Sequence, residues 1–360
     1  MVVKNNMEAL IRPQIKNLRP YVSKAIPGCV RLDANENPLP WPHGMQEELL
    51  SAPIAFNRYP DGEARELKKA LAEATGIPQE GILTGNGSDE LIQLIMTTFG
   101  GEDRAVLIHP PTFSMYKAAA MVTGTEIREV PLILTDEGND LRLDVEGIIR
   151  TAAQPELSVI VLCNPNNPTG TLFPREDIMK IVRESGKLVV VDEAYGEFAG
   201  ESVLDEIPNY PNLLVLKTFS KLYGMAALRL GYLLGQSSTI ELLNRGRQPF
   251  NVNSFSQKAG VLALKYKEEF AEQKELLLGE LEKIIATLRS LDSVKVFPTR
   301  GNFVLFQPEN PEACYEQLIQ KGFLVRNMGE LPVVGKALRL SPGLPEDNAG
   351  LIKALQELFS

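Results

Sequence analysis

The sequence has few of the residues that build metal and disulfide sites. It contains 3 cysteines and 2 histidines in 360 residues. Cys29, Cys163 and Cys314 are widely spaced and odd in number, which argues against a disulfide framework and a cysteine-rich zinc cluster. His43 and His109 each adjoin a proline and lack the spacing of a helix-borne metal pair. We therefore expect no metal site and a reducing, cytoplasmic environment.

Long apolar runs and positive charge are also scarce. No run reaches the ~18 apolar residues that span a membrane, and the first 21 residues lack the apolar core of a signal peptide. The net charge is −9. An extended phosphate-binding groove needs a clustered basic field, so a nucleic-acid partner is not expected. These absences predict a soluble, intracellular protein with no membrane partner.

The composition that remains is typical of a globular protein with two lobes. Hydrophobic residues make up 44% and charged residues 23%, enough apolar material for a large core. Valine-, isoleucine- and leucine-rich runs alternate with amphipathic stretches such as 174–186, a pattern that predicts an α/β fold with a mostly parallel sheet. The strand-like runs cover 105–109, 158–164, 187–195, 212–218 and 230–235.

The pattern changes near residue 255. A long helical pattern is followed by the short strand-like segments "VKVFP", "NFVLF" and "ALRLS" and by a final helical segment, "EDNAGLIKALQEL". We predict an N-terminal arm (1–30) that packs on the small domain or on a partner subunit. A large domain (31–254) and a small α+β domain (255–360) follow.

Polar residues follow three of the predicted strands. The strand at 158–164 leads into "NPNNPTG", the strand at 187–191 ends at Asp192, and the strand at 213–217 is followed by "TFSK" with Lys221. Ligands of open α/β sheets bind beyond the carboxyl ends of the strands. These side chains are therefore expected at one rim.

Asp192 and Lys221 each allow a structural and a chemical interpretation. A carboxylate that follows four apolar residues is partly desolvated. Such a residue is structural, as a helix cap or an ion-pair partner, about as often as it is catalytic. Lys221 is either a surface lysine that opens a helix or a lysine with a chemical role. The second interpretation is favoured because a cation is disfavoured at a helix N-terminus and lysine is rarely buried. Burial or the nearby Arg229 would ease its deprotonation, which makes Lys221 a Schiff-base candidate.

A binding site for an anion is predicted at "TGNGSDELI" (84–92). Gly85 and Gly87 lie between a short strand and an amphipathic helix, whose N-terminus offers N–H groups to a phosphate. The stretch is not a P-loop and lacks the third glycine of a dinucleotide fingerprint, and glycines also simply make turns. The acidic stretch 135–147 does not match a calcium-binding loop and is interpreted as a solvated loop and helix start.

Taken together, these segments resemble the aspartate-aminotransferase-like, fold-type I pyridoxal-phosphate enzymes, and within them the histidinol-phosphate aminotransferases. The resemblance covers nearly the whole chain. Fold type I implies a seven-stranded type of sheet, mostly parallel and flanked by helices, with a smaller C-terminal domain. The segments that carry it are "LRPY" (18–21), "LDANENP" (32–38), "NRYPDG" (57–62), "TGNGSDELI" (84–92), "PPTFSMY" (110–116), "NPNNPTG" (164–170), "VVDEAYGEF" (190–198), "TFSKLYGMAALRLGY" (218–232), "GNFVLF" (301–306) and "LRLSPG" (338–343).

The resemblance implies a role for each cofactor-binding residue. Lys221 binds pyridoxal phosphate as a Schiff base and then moves the proton between Cα and C4′. Asp192 keeps the pyridine nitrogen protonated, which makes the ring an electron sink. Asn167 and Tyr195 hydrogen-bond the phenolic oxygen, and Phe113 stacks on the ring where many relatives have tyrosine. The residues implied around the phosphate are Ser88, Asp89, Thr218, Ser220, Arg229 and, from the neighbouring subunit, Tyr59.

Substrate residues and a homodimer are also implied. Arg339 resembles the arginine that binds the substrate carboxylate, and the resemblance also makes Asn167 a substrate-binding residue. Arg326 and Tyr21 resemble residues that bind the phosphate of histidinol phosphate, a group to which guanidinium binds bidentately. "SPG" after Arg339 departs from the commoner Thr-Val-Gly or Ser-Ile-Gly.

Several alternatives use the same sequence features. An aromatic-amino-acid aminotransferase or a threonine-phosphate decarboxylase would share nearly all the residues. A nucleotide-binding oxidoreductase is opposed by the missing third glycine. A non-catalytic pyridoxal-phosphate-binding regulator would need an added DNA-binding module, for which the chain has no residues left.

Overall fold

A computed structural model describes residues 10–16, 18, 20 and 26–359. The strands in this part of the chain are β1 (Val30–Arg31), β2 (Ile82–Gly85), β3 (Ala105–Ile108), β4 (Glu126–Glu129), β5 (Ile133–Leu134), β6 (Leu141–Arg142), β7 (Leu157–Cys163), β8 (Leu188–Asp192), β9 (Leu213–Thr218), β10 (Gly231–Leu234), β11 (Val294–Val296), β12 (Val304–Pro308), β13 (Phe323–Leu324), β14 (Arg326–Leu331) and β15 (Gly335–Leu340).

The helices lie between strands through most of the chain, and the longest of them is α11. They are α1 (Pro13–Lys16), α2 (Met45–Ser51), α3 (Arg65–Thr75), α4 (Ser88–Phe99), α5 (Met115–Thr123), α6 (Val145–Ala152), α7 (Arg175–Glu184), α8 (Gly196–Ala199), α9 (Ser237–Asn244), α10 (Ser254–Lys265), α11 (Lys267–Arg289), α12 (Pro311–Gln320) and α13 (Pro345–Phe359).

The larger sheet has seven strands in the order β2-β10-β9-β8-β7-β3-β4. All neighbours are parallel except at β10, which is antiparallel to β2 and β9. Successive residues of a strand enter different cores: Val189 and Val191 pack in one apolar cluster and Val190 in the other. The predicted sheet, buried on both faces, is confirmed.

The smaller sheet is antiparallel, with the order β11-β12-β15-β14. Its core includes residues of α11, α12 and α13. The predicted long helical pattern is interrupted at Tyr266, so that α10 and α11 are separate helices. Helix α10 packs on α3, and Gly260 allows this approach, because a Cβ there would lie 2.8 Å from Leu67 Cδ1. The limits of the two domains stay predictions.

Strand β1 and the acidic segment 135–147 take defined places. Strand β1 pairs in parallel with β13, and residues 33–35, which follow β1, line the cavity described below. The acidic stretch 135–147 holds the turn between β5 and β6 and the start of α6, which Asp144 caps by accepting from the Gly147 N–H at 2.9 Å. Within the described residues no helix is long and apolar enough to cross a membrane.

Lys217, in β9, belongs to a buried cluster of charged side chains. Lys217 Nζ lies 3.3 Å from Glu193 and 3.1 Å from Glu197, and all three side chains are largely buried. Burial alone would lower the pKa of Lys217, but Glu197 and Glu193 raise it well above its ordinary value. Glu193 also accepts from Ser202 Oγ and the Val203 N–H. The cluster fixes the turn after Asp192.

Replacing Lys217 by methionine is expected to lower the free energy of unfolding by about 3–5 kcal/mol, because two buried carboxylates lose their counter-ion. Urea denaturation measures this change. The matched control is Lys258→Met, which breaks the more exposed pair with Glu66 and should cost no more than about 1 kcal/mol. Equal losses in the two variants would contradict the proposed difference in burial.

Candidate active site

A cavity of about 590 Å³ opens at the carboxyl ends of β7, β8 and β9 and is also lined by residues of β14 and β15. Nearly all the residues predicted from sequence line it. They are Ser88, Asp89, Phe113, Asn167, Asp192, Tyr195, Thr218, Ser220, Lys221, Arg229, Arg326 and Arg339. Tyr59 is outside the set of described residues that line the cavity, and Tyr21 lies outside the described part of the chain.

Asp192 is the last residue of β8 and is buried. Its Oδ2 accepts from the Tyr116 hydroxyl at 2.6 Å, and its Oδ1 accepts from the Ala194 N–H at 3.0 Å. Burial raises its pKa to about 6, although the hydrogen bond from Tyr116 works in the opposite direction. Asp192 is therefore ionised at neutral pH and is a potential partner for a cation in the cavity.

Lys221 lies three residues beyond the end of β9, in a bend. Of the two interpretations of Lys221, the one in which it opens a helix does not hold, since the next helical segment is the 3₁₀ helix Ala226–Leu228. Its Nζ donates to the Ala34 carbonyl at 2.9 Å and lies 5.7 Å from the centre of the Tyr195 ring. Burial, followed by the charge of Arg339, lowers its pKa to about 8. Arg229, the cation predicted from sequence, makes a smaller contribution.

The low pKa of Lys221 gives a pH-dependent expectation for the cofactor-free protein. Only the neutral amine attacks a carbonyl, so the rate of reaction with pyridoxal phosphate should rise with pH and level off above about 8. Stopped-flow absorbance measures the midpoint. Arg339→Met should shift it upward, because a repelling charge is removed. A midpoint at the ordinary lysine value of 10.5 would contradict burial of the amine.

Asn167, Tyr195 and Arg339 form one hydrogen-bonded group. Asn167 Nδ2 donates to Tyr195 Oη at 3.4 Å, while Asn167 Oδ1 accepts from Arg339 NH1 at 2.6 Å. Arg339 NH2 also donates to the Asp33 carbonyl at 2.6 Å. Burial raises the pKa of Tyr195 to about 12, so the phenol is neutral at physiological pH.

Groups that can bind an anion meet at the start of α4. Gly87 has a left-handed φ of 83°, and a Cβ there would lie 2.7 Å from Arg229 NH2. Arg229 is held by Asp89, whose Oδ2 lies 2.9 Å from NH2. The N–H groups of the first turn of α4, the hydroxyls of Thr218 and Ser220 and this guanidinium suit a phosphate group.

Phe113 and Tyr59 take different positions. Phe113 lines the cavity and contacts Tyr116 edge to face, with ring centres 5.5 Å apart. Tyr59 is 81% exposed and stacks on Phe250, with ring centres 4.6 Å apart. Tyr59 thus faces away from the cavity of its own chain.

Two residues that contact the site have no role predicted from the sequence. Asn35 and Tyr116 lie in quoted motifs, "LDANENP" and "PPTFSMY", and the structure places their side chains against Tyr195 and Asp192. A tyrosine at the third position after Phe113 is a helix-core signal. Only the packing of α5 on the sheet turns it toward Asp192.

Comparison with known proteins identifies the family of this chain. The sequence profile of the family described as aminotransferase class I and II matches residues 27–355. The chain therefore belongs to the class I and II aminotransferases. Within that class it is 70% identical over 359 residues to a histidinol-phosphate aminotransferase of Desulfitobacterium hafniense (strain DSM 10664 / DCB-2), with 100% of both chains covered. The family resemblance predicted from the motifs is confirmed.

Two further relatives carry the same name. A histidinol-phosphate aminotransferase of Ruminiclostridium cellulolyticum is 36% identical over 353 residues, covering 97% of this chain and 98% of that protein. The crystal structure of histidinol-phosphate aminotransferase from Sinorhizobium meliloti in complex with pyridoxal-5′-phosphate superposes with a TM-score of 0.86 at 24% identity, covering 97% of each chain. That likeness supports the fold.

Proposed function

We infer that this chain is a pyridoxal-phosphate-dependent histidinol-phosphate aminotransferase of histidine biosynthesis. It converts histidinol phosphate and 2-oxoglutarate to imidazole-acetol phosphate and glutamate, and the reverse. One observation carries the inference. A lysine of lowered pKa, a buried carboxylate and two arginines from neighbouring strands line a single cavity.

The cavity fits the cofactor. Because Gly87 has no side chain, Arg229 packs close to the start of α4, where it and the N–H groups of the first turn are proposed to bind the phosphate. Asp192 supplies a buried negative charge in the same cavity. When bound, pyridoxal phosphate supplies a carbonyl carbon that accepts amines and a ring that takes up the electron pair released at Cα. The residues proposed to hold it are Ser88, Asp89, Thr218, Ser220 and Arg229 at the phosphate, Asp192 at the pyridine nitrogen, Asn167 and Tyr195 at the phenolic oxygen, and Phe113 at the ring face.

Three side chains carry the charge and proton changes. Lys221, with a pKa of about 8, accepts a proton from the substrate Cα and returns it at C4′. Asp192 holds a positive charge opposite it, in a site where burial strengthens the interaction. Tyr195 stays neutral and donates from a fixed position.

Two arginines are proposed to bind the anionic groups of the two substrates. Arg326 and Arg339 are directly opposite in the pairing of β14 with β15 and therefore lie on the same face of the sheet. Arg339 is proposed to bind the carboxylate of glutamate, and Arg326, with Tyr21, the phosphate of histidinol phosphate. Guanidinium binds both groups through paired hydrogen bonds.

The test is a set of half-reactions followed by the absorbance of the bound cofactor. Histidinol phosphate and glutamate should both react faster than phenylalanine, and threonine phosphate should yield no carbon dioxide. Arg326→Met should reduce kcat/KM about 10- to 100-fold for histidinol phosphate, the loss of a charged hydrogen bond, and leave glutamate nearly unchanged. Equal turnover of phenylpyruvate and imidazole-acetol phosphate would overturn the substrate assignment.

We also propose a cytoplasmic homodimer in which Tyr59 reaches the cofactor phosphate of the partner. Support comes from Tyr59 and Phe56, which are 81% and 84% exposed, and from the three cysteines, which are free thiols. Hybrid dimers of Lys221→Ala and Tyr59→Ala chains should regain one working site, because each chain supplies what the other lacks. Hybrids no more active than either parent would refute sharing of the site.

A further inference from the structure

Asn35 is a buried residue of the cavity wall in a strained conformation. It is 1% exposed and has a left-handed φ of 54°, which asparagine tolerates better than most residues. Its Nδ2 donates to Tyr195 Oη at 2.9 Å. Its Oδ1 has no hydrogen-bond partner among the described residues. Both the strained backbone and the unpaired oxygen are unfavourable, which indicates that the position of the amide nitrogen matters.

The backbone around Asn35 is fixed by the site itself. Three successive carbonyls each accept from a side chain of another segment. The Asp33 carbonyl accepts from Arg339 at 2.6 Å, that of Ala34 from Lys221 at 2.9 Å and that of Asn35 from Asn302 Nδ2 at 3.2 Å. The backbone of Asn35 is therefore held beside Tyr195 by Arg339 and Lys221, which line the cavity, and by Asn302.

The second amide at Tyr195 has only one possible orientation. Asn167 Oδ1 accepts from Arg339 NH1 at 2.6 Å, and a guanidinium has donors only. Asn167 must therefore turn Nδ2 toward Tyr195, at 3.4 Å. The phenol oxygen has two lone pairs and one proton. With both lone pairs taken, only the proton is left to face the cavity.

We propose that Asn35 is a positioning residue that, together with Asn167, occupies both lone pairs of Tyr195 Oη and so fixes the phenol as a hydrogen-bond donor into the cavity. Among the described residues Tyr195 Oη makes no other hydrogen bond. The hydrogen bond from Asn35 also lowers the pKa of Tyr195 against the larger effect of burial, which strengthens the phenol as a donor. This inference rests on the proposed function, in which that donor meets the phenolic oxygen of the cofactor.

The decisive variant is Asn35→Asp. Aspartate has the same shape and also tolerates a left-handed backbone, but the introduced carboxylate can only accept and would draw the Tyr195 proton away from the cavity. In the cofactor-free protein labelled at tyrosine ¹³Cζ, the Tyr195 signal, assigned by its loss in Tyr195→Phe, should move. The signals of the other tyrosines should not move.

The loaded enzyme gives two further measurements. The pH midpoint of the cofactor absorbance should rise by about one unit, because an anionic oxygen that loses a donor retains a nearby proton more tightly. The value of kcat/KM should fall about tenfold. In a Tyr195→Phe background the same substitution should change kcat/KM by less than about twofold, since the effect passes through the phenol.

A matched control separates positioning from loop damage. Asn37→Asp alters the same segment, but Asn37 donates to the Leu222 carbonyl at 2.7 Å and not to Tyr195. It should leave the Tyr195 signal in place. An unmoved Tyr195 signal in Asn35→Asp, or an equal loss of kcat/KM with and without the phenol, would overturn the proposal. A wild-type chain that binds no pyridoxal phosphate would overturn the proposed function, and the ¹³C signal would still decide the role of Asn35.

Discussion

Replacement of Lys221 by alanine is expected to abolish transamination, with kcat lowered by a factor of about 10⁴. The variant loses both the covalent attachment of the cofactor and the group that moves the proton at Cα. The amine is suited to both tasks because burial brings its pKa to about 8. Single-turnover absorbance measurements with glutamate follow the loss directly.

The control for Lys221 is a lysine outside the cavity. Lys265→Ala removes an exposed lysine paired with Glu48 and should leave kcat unchanged. Methylamine added to Lys221→Ala should restore part of the activity, since a free amine can carry the proton. Full turnover by the variant without added amine would contradict the assigned mechanism.

Asp192→Asn is expected to lower kcat about 100- to 1000-fold, because the carboxylate that stabilises a positive charge in the cavity becomes neutral. The affinity for pyridoxal phosphate should fall as well. Tyr116→Phe is the graded comparison. It removes the 2.6 Å hydrogen bond that lowers the pKa of Asp192, so the acid limb of the pH–rate profile should move to higher pH with a smaller loss of kcat.

The same carboxylate affects the stability of the cofactor-free protein. Burial raises the pKa of Asp192 from 3.8 to about 6, so its contribution to stability is fully present below pH 3.8 and is lost as pH rises through 6. Asparagine does not titrate. The Asp192→Asn variant should therefore gain thermal stability relative to the wild type between pH 4 and pH 7. A difference that is independent of pH would mean that Asp192 does not change its pKa on folding.

The local sequence was sufficient for most strands of the sheet and for most of the cavity wall, but the edge strand β4, with the polar sequence "EIRE", was not predicted. Runs such as "LVVV" are apolar on both faces and are typical of central parallel strands. Parallel strands bring their carboxyl ends to one edge, so Asp192 and Lys221 could be placed near each other without coordinates. The start of α4 at Ser88 was likewise predictable, since a glycine-rich turn before an amphipathic run is a local signal.

Other features needed the folded chain. The break between α10 and α11 at Tyr266 has no glycine or proline to mark it, and packing on α3 decides it. Lys221 lies in a bend, and its amine donates to the Ala34 carbonyl, 187 residues away in sequence. A contact between residues so far apart in sequence produces no periodic pattern in the sequence from which it could be predicted.

The sequence by itself determined the class of this protein, because residue type and spacing along each strand end select the chemistry. Tertiary structure alone decided how those residues act. The pKa values of Asp192 and Lys221 depend on burial, and the orientation of Tyr195 depends on amides from two distant segments, Asn35 and Asn167. Desolvation and hydrogen-bond geometry arise only when the chain has folded, because both are properties of what surrounds a side chain.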